Sequence, residues 1–259
     1  MSLSASQIAA LREVELVWPG VNVVIIGAAA LGFHYEMTWR QTLDVDLVLA
    51  IELADFPGAL ASRAGWSQHA TKEHEFLSPQ GAKIDLLPVG PEALKAGNLK
   101  WPSGHVMNVV AIDLAFAHAC SHTLDDGSDV LVAPPQVISV LKMASYCDRP
   151  SDRERDLQDL AHLLDSYVDD DDERRWTDAG HIGNFELAPA FLLGVDVGRL
   201  LATDSHRELV TEFLGRLRDD ESLPHIHMHT AAPWSTSDSD ALSLRLQAFQ
   251  EGLYRANPS

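Results

Sequence analysis

Two aspartates inside an apolar stretch constrain this chain more than any other feature of its sequence. Asp44 and Asp46 lie in "LDVDLVLAI", residues 43–51, whose length and β-branched side chains predict a buried strand. Side chains at positions i and i+2 of a strand point to the same face. Two carboxylates ~4 Å apart repel each other by roughly 4 kcal/mol at an effective dielectric constant of ~20. An apolar strand that carries both therefore needs something that offsets their charge.

A bound divalent cation would offset it, and carboxylate oxygens favour Mg²⁺ or Mn²⁺. Asp85 is a third carboxylate within an apolar stretch, "AKIDLLPVG" at 82–90. If the two strands are neighbours, the three aspartates converge and suit metal-assisted phosphoryl or nucleotidyl transfer. The spacing alone leaves an alternative open, in which Asp44 begins the strand and only Asp46 faces inward.

The order of predicted elements favours an α+β fold. The first half contains predicted helices at 6–17, 28–37, 51–66 and 109–120, strands at 21–27, 43–51, 74–78 and 82–90, and a hairpin at 121–135 that turns at Asp126-Gly127. After residue 135, most segments show helical spacing, and 229–240 is predicted to be a polar loop. We therefore expect a small mixed β-sheet flanked by helices in a first, catalytic domain (1–135). A mainly helical C-terminal domain (136–259) is expected to follow.

Composition excludes several classes of protein. The formal net charge of −19 argues against strong non-specific binding to nucleic acid, although one nucleotide or RNA end could still occupy a local basic pocket. The sequence shows no apolar run of the ~18 residues that span a bilayer and no secretory signal pattern. The two cysteines, Cys120 and Cys147, provide no disulfide framework. We expect a cytoplasmic protein with no membrane partner.

A glycine upstream of the aspartates adds a second feature. Gly27 ends a predicted strand and opens a helix, where backbone N–H groups and the helix dipole favour anions. The stretch "GAAALGFHYEMTWRQTLDVDL" resembles the signature of the DNA polymerase beta-like nucleotidyltransferase superfamily, and within it the AbiEii-type branch. Arg40, Thr42, Asp44 and Asp46 match the Arg-x-Thr-x-Asp-x-Asp core of that branch.

The resemblance extends into the helical half and covers roughly residues 20–200. The segment from "DDGSDVLVAPP" to "RERDLQDLAHLLDSY" is similar to the second half of that family. Its matching positions are Lys142, Asp148, Arg149, Asp156 and Asp159.

The resemblance implies a Mg²⁺-dependent nucleotidyltransferase that moves a nucleoside monophosphate from an NTP to an acceptor hydroxyl. The acceptor would be RNA, such as a tRNA end, or a small molecule. Asp44 and Asp46 would ligate the metal, and Asp85 would hold a second ion or activate the acceptor hydroxyl. The resemblance also implies the toxin of a toxin–antitoxin pair, whose antitoxin protein would be a partner.

The same resemblance implies a set of nucleotide-binding residues. They are Gly27, Ala28, Arg40, Thr42, Lys142, Asp156 and Asp159, and Lys142 would place its charge on the triphosphate. Simpler interpretations stay open: Lys142 as a surface lysine, and the two helix aspartates as a charged face that pairs with Arg153 and Arg155.

One departure from the family pattern concerns catalysis. The serine that follows the glycine in that family is Ala28 here, so the hydroxyl that would bind a phosphate oxygen is missing. A catalytically degenerate module that binds a nucleotide or another protein is therefore an alternative function. Outside the resemblance, "HIHMH" places His225, His227 and His229 at alternate positions, which would share one face of a strand and suit Zn²⁺. A polar loop or edge strand is the simpler interpretation of that stretch.

Overall fold

The chain forms two compact units, Met1–Pro134 and Pro135–Ser259. The computed structural model of the 259 residues describes residues 3–56, 58, 60–234, 238 and 240–256. No helix in these ranges is both long and apolar enough to cross a bilayer.

A mixed β-sheet forms the centre of the first unit. Across its described residues the strands are β1 (Val23–Ile26), β2 (Asp44–Leu49), β3 (Ser67–Gln68), β4 (Glu75–Leu77), β5 (Lys83–Pro88), β6 (Asn98–Lys100), β7 (Val106–Asn108), β8 (Cys120–Thr123) and β9 (Asp129–Val132). Seven of them form one sheet in the order β3-β4-β5-β2-β1-β9-β8, and β6 pairs with β7 separately. β2 is parallel to β5 and antiparallel to β1.

Four helices accompany the described strands of this unit. They are α1 (Ala5–Val17), α2 (Gly27–His34), α3 (Pro91–Ala96) and α4 (Ile112–His118). Ser4 caps α1 by accepting a hydrogen bond from the backbone N–H of Gln7. α2 follows β1 without a connecting loop and contacts both β1 and β2. The first turn of α2 is therefore held beside these strands.

The central strands have one apolar face and one acidic face. Val45 and Leu47 of β2 and Ile84 and Leu86 of β5 are completely buried. The aspartates that alternate with them, Asp44 and Asp46 on β2 and Asp85 on β5, keep partial exposure. This alternation follows from the period of two along a strand, and it leaves the acidic side chains on the face opposite this apolar layer.

The second unit is helical throughout its regular elements. Its helices are α5 (Pro135–Asp148), α6 (Glu154–Ser166), α7 (Arg174–Thr177), α8 (Ala188–Leu200), α9 (Asp204–Arg216), α10 (Leu223–Thr230) and α11 (Ala241–Ala256). α8 and α11 pack closely because Gly194 and Gly252 bring their backbones together. A Cβ added to Gly252 would overlap the carbonyl oxygen of Phe191.

The predicted α+β class is confirmed: a mixed sheet is flanked by helices, and a helical C-terminal region follows. The helix predicted at 51–66 is wrong, because only a 3-10 turn at Leu53–Asp55 and further turns form there. Gly58, with φ of 74°, breaks the helical path, and residues 57 and 59 lie outside the described part. The loop predicted at 229–240 is partly wrong, because its first two residues belong to α10. Residues 235–237 and 239 of that loop lie outside the described residues.

Candidate active site

Asp44, Asp46 and Asp85 lie on one face of two adjacent strands. β2 and β5 are neighbours, and Asp46 is the register partner of Asp85. Asp44 lies two residues before Asp46, on the same face of β2. Glu75 of β4 pairs with Asp85 from the other side, so a fourth carboxylate joins this face. We call these four residues the carboxylate cluster.

The ionisation of Asp85 is strongly perturbed by its surroundings. Burial, together with the charges of Asp44 and Glu75, raises the pKa of its carboxyl to about 6, although the charges of Lys83 and Lys72 lower it. Its Oδ1 is buried and has no hydrogen-bond partner among the described residues. A buried acceptor without a donor is costly, and in a native protein it calls for an explanation such as a bound ion.

A lysine that the sequence analysis did not single out lies within this cluster. The Nζ of Lys83 is 3.2 Å from Glu75 Oε2 and 3.7 Å from Asp44 Oδ2. Partial burial alone would lower the pKa of Lys83, but the hydrogen bond to Glu75 and the nearby carboxylate charges raise it. Lys83 is therefore an ammonium ion at neutral pH. Glu75 responds in the opposite sense: hydrogen bonds from Lys72 and Lys83 outweigh its burial and lower its pKa.

The segment before β2 orients Asp44. The Thr42 hydroxyl donates to Asp44 Oδ1 at 3.1 Å, with a second contact to the Asp44 carbonyl at 3.2 Å. Thr42 thus supports a carboxylate, although the resemblance implied a nucleotide contact. Arg40 lies in the same segment and is partly buried.

Asp46 lies against the glycine corner at the start of α2. Gly27 has φ of 67°, and a Cβ placed on it would overlap Asp46 Oδ2 and come within 3.0 Å of Asp46 Cγ. The first backbone N–H groups of a helix have no partner within the helix, so this corner can donate to an anion. Ala28, the next residue, is buried and offers only its backbone.

The donors of the carboxylate cluster fit a divalent cation in kind, since they are hard oxygens and Asp85 supplies a buried one without a hydrogen bond. Among the residues that the structure describes, no three His, Cys, Asp or Glu side chains are gathered closely enough to hold one ion. On this face the Lys83 ammonium already contacts Asp44, one of the carboxylates that would bind a cation.

The helix residues of the predicted site form a separate group in the second unit. The Nζ of Lys142, on α5, lies 3.0 Å from Asp156 Oδ1 and 2.6 Å from Asp159 Oδ2, both on α6. Lys142 is 4% exposed and Asp159 0%. The surface-lysine interpretation is therefore wrong. The two aspartates are buried against Lys142, and the charge of Arg153 also acts on Asp156. The charge of Lys142 and its hydrogen bond outweigh burial and lower the pKa of Asp156.

These contacts limit what Lys142 can do. Its ammonium already has two carboxylate partners and the residue is only 4% exposed, so little of it is accessible to a triphosphate. Its role in nucleotide binding stays a prediction, and the arrangement itself is that of a buried ion-pair network.

The histidine stretch is helical, so its interpretation as a loop or edge strand is wrong. His225, His227 and His229 belong to α10, in which residues two apart do not share a face. Ser222 accepts a hydrogen bond from the His225 backbone N–H and begins the helix. The strand geometry on which the zinc interpretation depended does not exist.

Comparisons with known proteins add little to this description. No protein-family model matches the chain, and no curated protein matches it significantly. Among solved structures, an antigenic nucleotidyltransferase-like protein from Paracoccidioides brasiliensis is similar over 92% of this chain and 98% of its own. The identity is 13% and the TM-score 0.44. Values this low establish neither a family nor an activity, and the AbiEii-type assignment stays a prediction.

Proposed function

We propose that the chain is a nucleotidyltransferase that moves a nucleoside monophosphate from an NTP to an acceptor hydroxyl and releases pyrophosphate. One observation carries the proposal: three aspartates share one face of two neighbouring strands, beside the glycine corner of α2. Phosphoryl chemistry of this kind needs negative charge on the phosphates to be neutralised and their oxygens to be positioned. A cation held on the acidic face would neutralise the charge, and the backbone N–H groups of the corner would position the oxygens.

Mg²⁺ or Mn²⁺ is the cofactor we propose. Asp44, Asp46 and Asp85 would provide its oxygen ligands after their side chains draw together, because in the structure described they are not gathered around one point. When bound, the ion would neutralise charge that develops on the phosphates. Asp85 has a further property that suits the reaction. In the metal-free chain a carboxyl whose pKa is raised to about 6 is a stronger base than an ordinary aspartate, so Asp85 can accept the proton of an acceptor hydroxyl where it does not itself hold the ion.

Phosphate binding is assigned to the first turn of α2. The backbone N–H groups after Gly27 would donate to phosphate oxygens, and Asp46 lies directly against this glycine. An anion-binding corner would then lie next to a proposed metal ligand, as transfer from a metal-bound triphosphate requires. Without a serine hydroxyl at position 28, the backbone alone would bind the phosphate.

The acceptor and the biological role rest on the resemblance alone. We propose RNA, such as a tRNA end, or a small molecule as acceptor, and the toxin half of a toxin–antitoxin pair as role. The net charge of −19 disfavours extended contact with a long polyanion, which would limit an RNA acceptor to its end.

A second candidate function is a nucleotide-binding module without turnover. Two observations favour it: the alanine at position 28, and the Lys83 ammonium that already partly neutralises the acidic face. Such a module would bind NTP at the glycine corner but transfer nothing.

Label transfer distinguishes the two functions. The full chain is incubated with each labelled NTP, Mg²⁺ and total RNA or candidate small molecules, beside Asp46→Asn and Asp85→Asn. Asp125→Asn, an exposed aspartate in the β8–β9 turn, is the matched control. Transfer by the wild type and the control, lost in the two site variants, supports the enzyme. Binding of NTP in equilibrium dialysis without transfer supports the second function, and the absence of both contradicts each of them.

A further inference from the structure

Lys83 occupies a central position on the acidic face. β5, which carries it, lies between β4 and β2 in the sheet. From there the ammonium reaches a carboxylate on each neighbouring strand, Glu75 on one side and Asp44 on the other. Lys83 also lies two residues before Asp85, so it shares the face of all four carboxylates of the cluster.

The second lysine near the cluster behaves differently. Lys72 contacts Glu75 Oε2 at 3.1 Å, but its side chain is 54% exposed and no contact to Asp44 is formed. The charge of Lys72 therefore lies at the solvent-exposed edge of the carboxylate cluster, beside Glu75. Of these two lysines, only Lys83 contacts a proposed metal ligand, Asp44 of β2, as well as Glu75 of β4.

We infer that Lys83 is an internal counter-ion that competes with the divalent cation for Asp44, so that the cation binds only when Lys83 releases this carboxylate. The inference rests on the proposed function, because it takes the metal role of the three aspartates from there. An ammonium and a divalent cation repel each other strongly at the distances available on one face of two strands.

The contacts of Lys83 are suited to such an exchange. Its contact with Asp44, at 3.7 Å, is the longer of the two, and the side chain is 38% exposed, so it has room to move. The contact with Glu75 is shorter, at 3.2 Å, and Glu75 is only 13% exposed. When Lys83 leaves Asp44, its ammonium therefore keeps Glu75 as a partner, and its charge is not left unpaired.

Metal affinity measured without nucleotide tests the inference. Replacing Lys83 by methionine removes the competing charge, and the repulsion between a +1 and a +2 charge about 6 Å apart, even in water, is enough to change affinity about tenfold. Free Mn²⁺ is followed by electron paramagnetic resonance while it is titrated into the full-length wild type, Lys83→Met, Lys83→Arg and Lys72→Met. Circular dichroism spectra verify that each variant is folded.

We expect Lys83→Met to bind Mn²⁺ at least about tenfold more tightly than the wild type. Lys83→Arg, which keeps the charge, should bind as the wild type does. Lys72→Met removes a charge that does not contact Asp44, so it should raise the affinity less than Lys83→Met does. Adding Asp44→Asn to Lys83→Met should abolish the gain, because Asp44 is the carboxylate for which the lysine and the cation compete.

Three results would overturn the inference. If Mn²⁺ binding depends on Asp44 but is unchanged in Lys83→Met, the counter-ion role is wrong while the proposed metal site stands. Weaker binding by Lys83→Met would show that the lysine assists the ion. If no variant binds Mn²⁺, both the inference and the metal part of the proposed function fail.

Discussion

The carboxylate of Asp46 lies where a side chain on residue 27 would begin. A Cβ on Gly27 would overlap Asp46 Oδ2 and approach Asp46 Cβ to 3.3 Å, and Gly27 has φ of 67°. The glycine is therefore required for two separate reasons, a left-handed backbone and the close approach of an aspartate. This contact joins the first turn of α2 to β2 and fixes the corner of the proposed site.

Gly27→Ala should destabilise the first unit more than Gly127→Ala does. Both residues have positive φ, 67° and 80°, so each substitution costs roughly 1–2 kcal/mol in backbone strain. Only Gly27 has a neighbour in the way, since nothing lies within 4 Å of a Cβ on Gly127. Urea unfolding of both variants measures the difference.

A double-mutant cycle identifies the source of that extra cost. In an Asp46→Ala background the carboxylate is gone and only the Cβ at 3.3 Å remains, so most of the extra cost of Gly27→Ala over Gly127→Ala should disappear. If the extra cost persists in that background, the overlap with Asp46 is not its cause.

Asp85 should make the stability of the metal-free chain depend on pH. Its folded pKa is about 6 against an ordinary 3.8, so between these values the folded chain holds a proton that the unfolded chain has lost. The stabilisation is complete below about pH 4 and is lost as the pH rises through about 6. Two pKa units correspond to at most about 3 kcal/mol, and partial exposure of the side chain reduces this figure.

Urea unfolding at several pH values between about 4 and 7, with EDTA present, measures this dependence. The free energy of unfolding of the wild type should fall relative to Asp85→Asn across the interval, because asparagine does not titrate. A constant difference between the two chains would show that Asp85 has an ordinary pKa in the folded state.

The acidic face was predictable because it follows from the period of two along single strands. Asp44 and Asp46 are two residues apart, and Asp85 lies at the centre of its own apolar stretch. Lys83 also alternates with apolar residues, which was a usable signal. Its contact with Glu75 depends instead on β4 lying beside β5, and no local pattern specifies which side chain of a neighbouring strand an ammonium will reach.

The histidine stretch shows how a local pattern can mislead. Alternate histidines suggested a strand, but Ser222 at the N-cap and Pro224 in the first turn are helix-start signals that the sequence already contained. The burial of Lys142 shows the opposite limit. Its position on an amphipathic helix was visible, but its two partners belong to another helix, and only the packing of α5 on α6 brings them together.

Lys142→Met should cost about 3–5 kcal/mol of stability, because it leaves two buried carboxylates without their cation. Lys72→Met is the matched control: the Lys72 side chain, 3.1 Å from Glu75, is 54% exposed, and Glu75 keeps Lys83 as a second partner. Its loss should therefore cost less than about 1 kcal/mol. Chemical unfolding gives both values. Adding Asp159→Asn to Lys142→Met should recover part of the loss, since one of the two unpaired charges disappears. Equal costs for the two lysines would contradict the network.

Gly252→Ala tests the close packing of α8 and α11. An added methyl group would overlap the Phe191 carbonyl oxygen and lie 2.8 Å from the Val195 backbone nitrogen, and backbone atoms of a packed helix cannot move aside cheaply. We expect a loss of about 1–3 kcal/mol or more, despite the better helix propensity of alanine.

Gly215→Ala, on α9, is the control, because nothing lies within 4 Å of its Cβ. That variant should be unchanged or up to about 1 kcal/mol more stable in urea unfolding. Similar behaviour of the two variants would mean that α8 and α11 do not approach as closely as described.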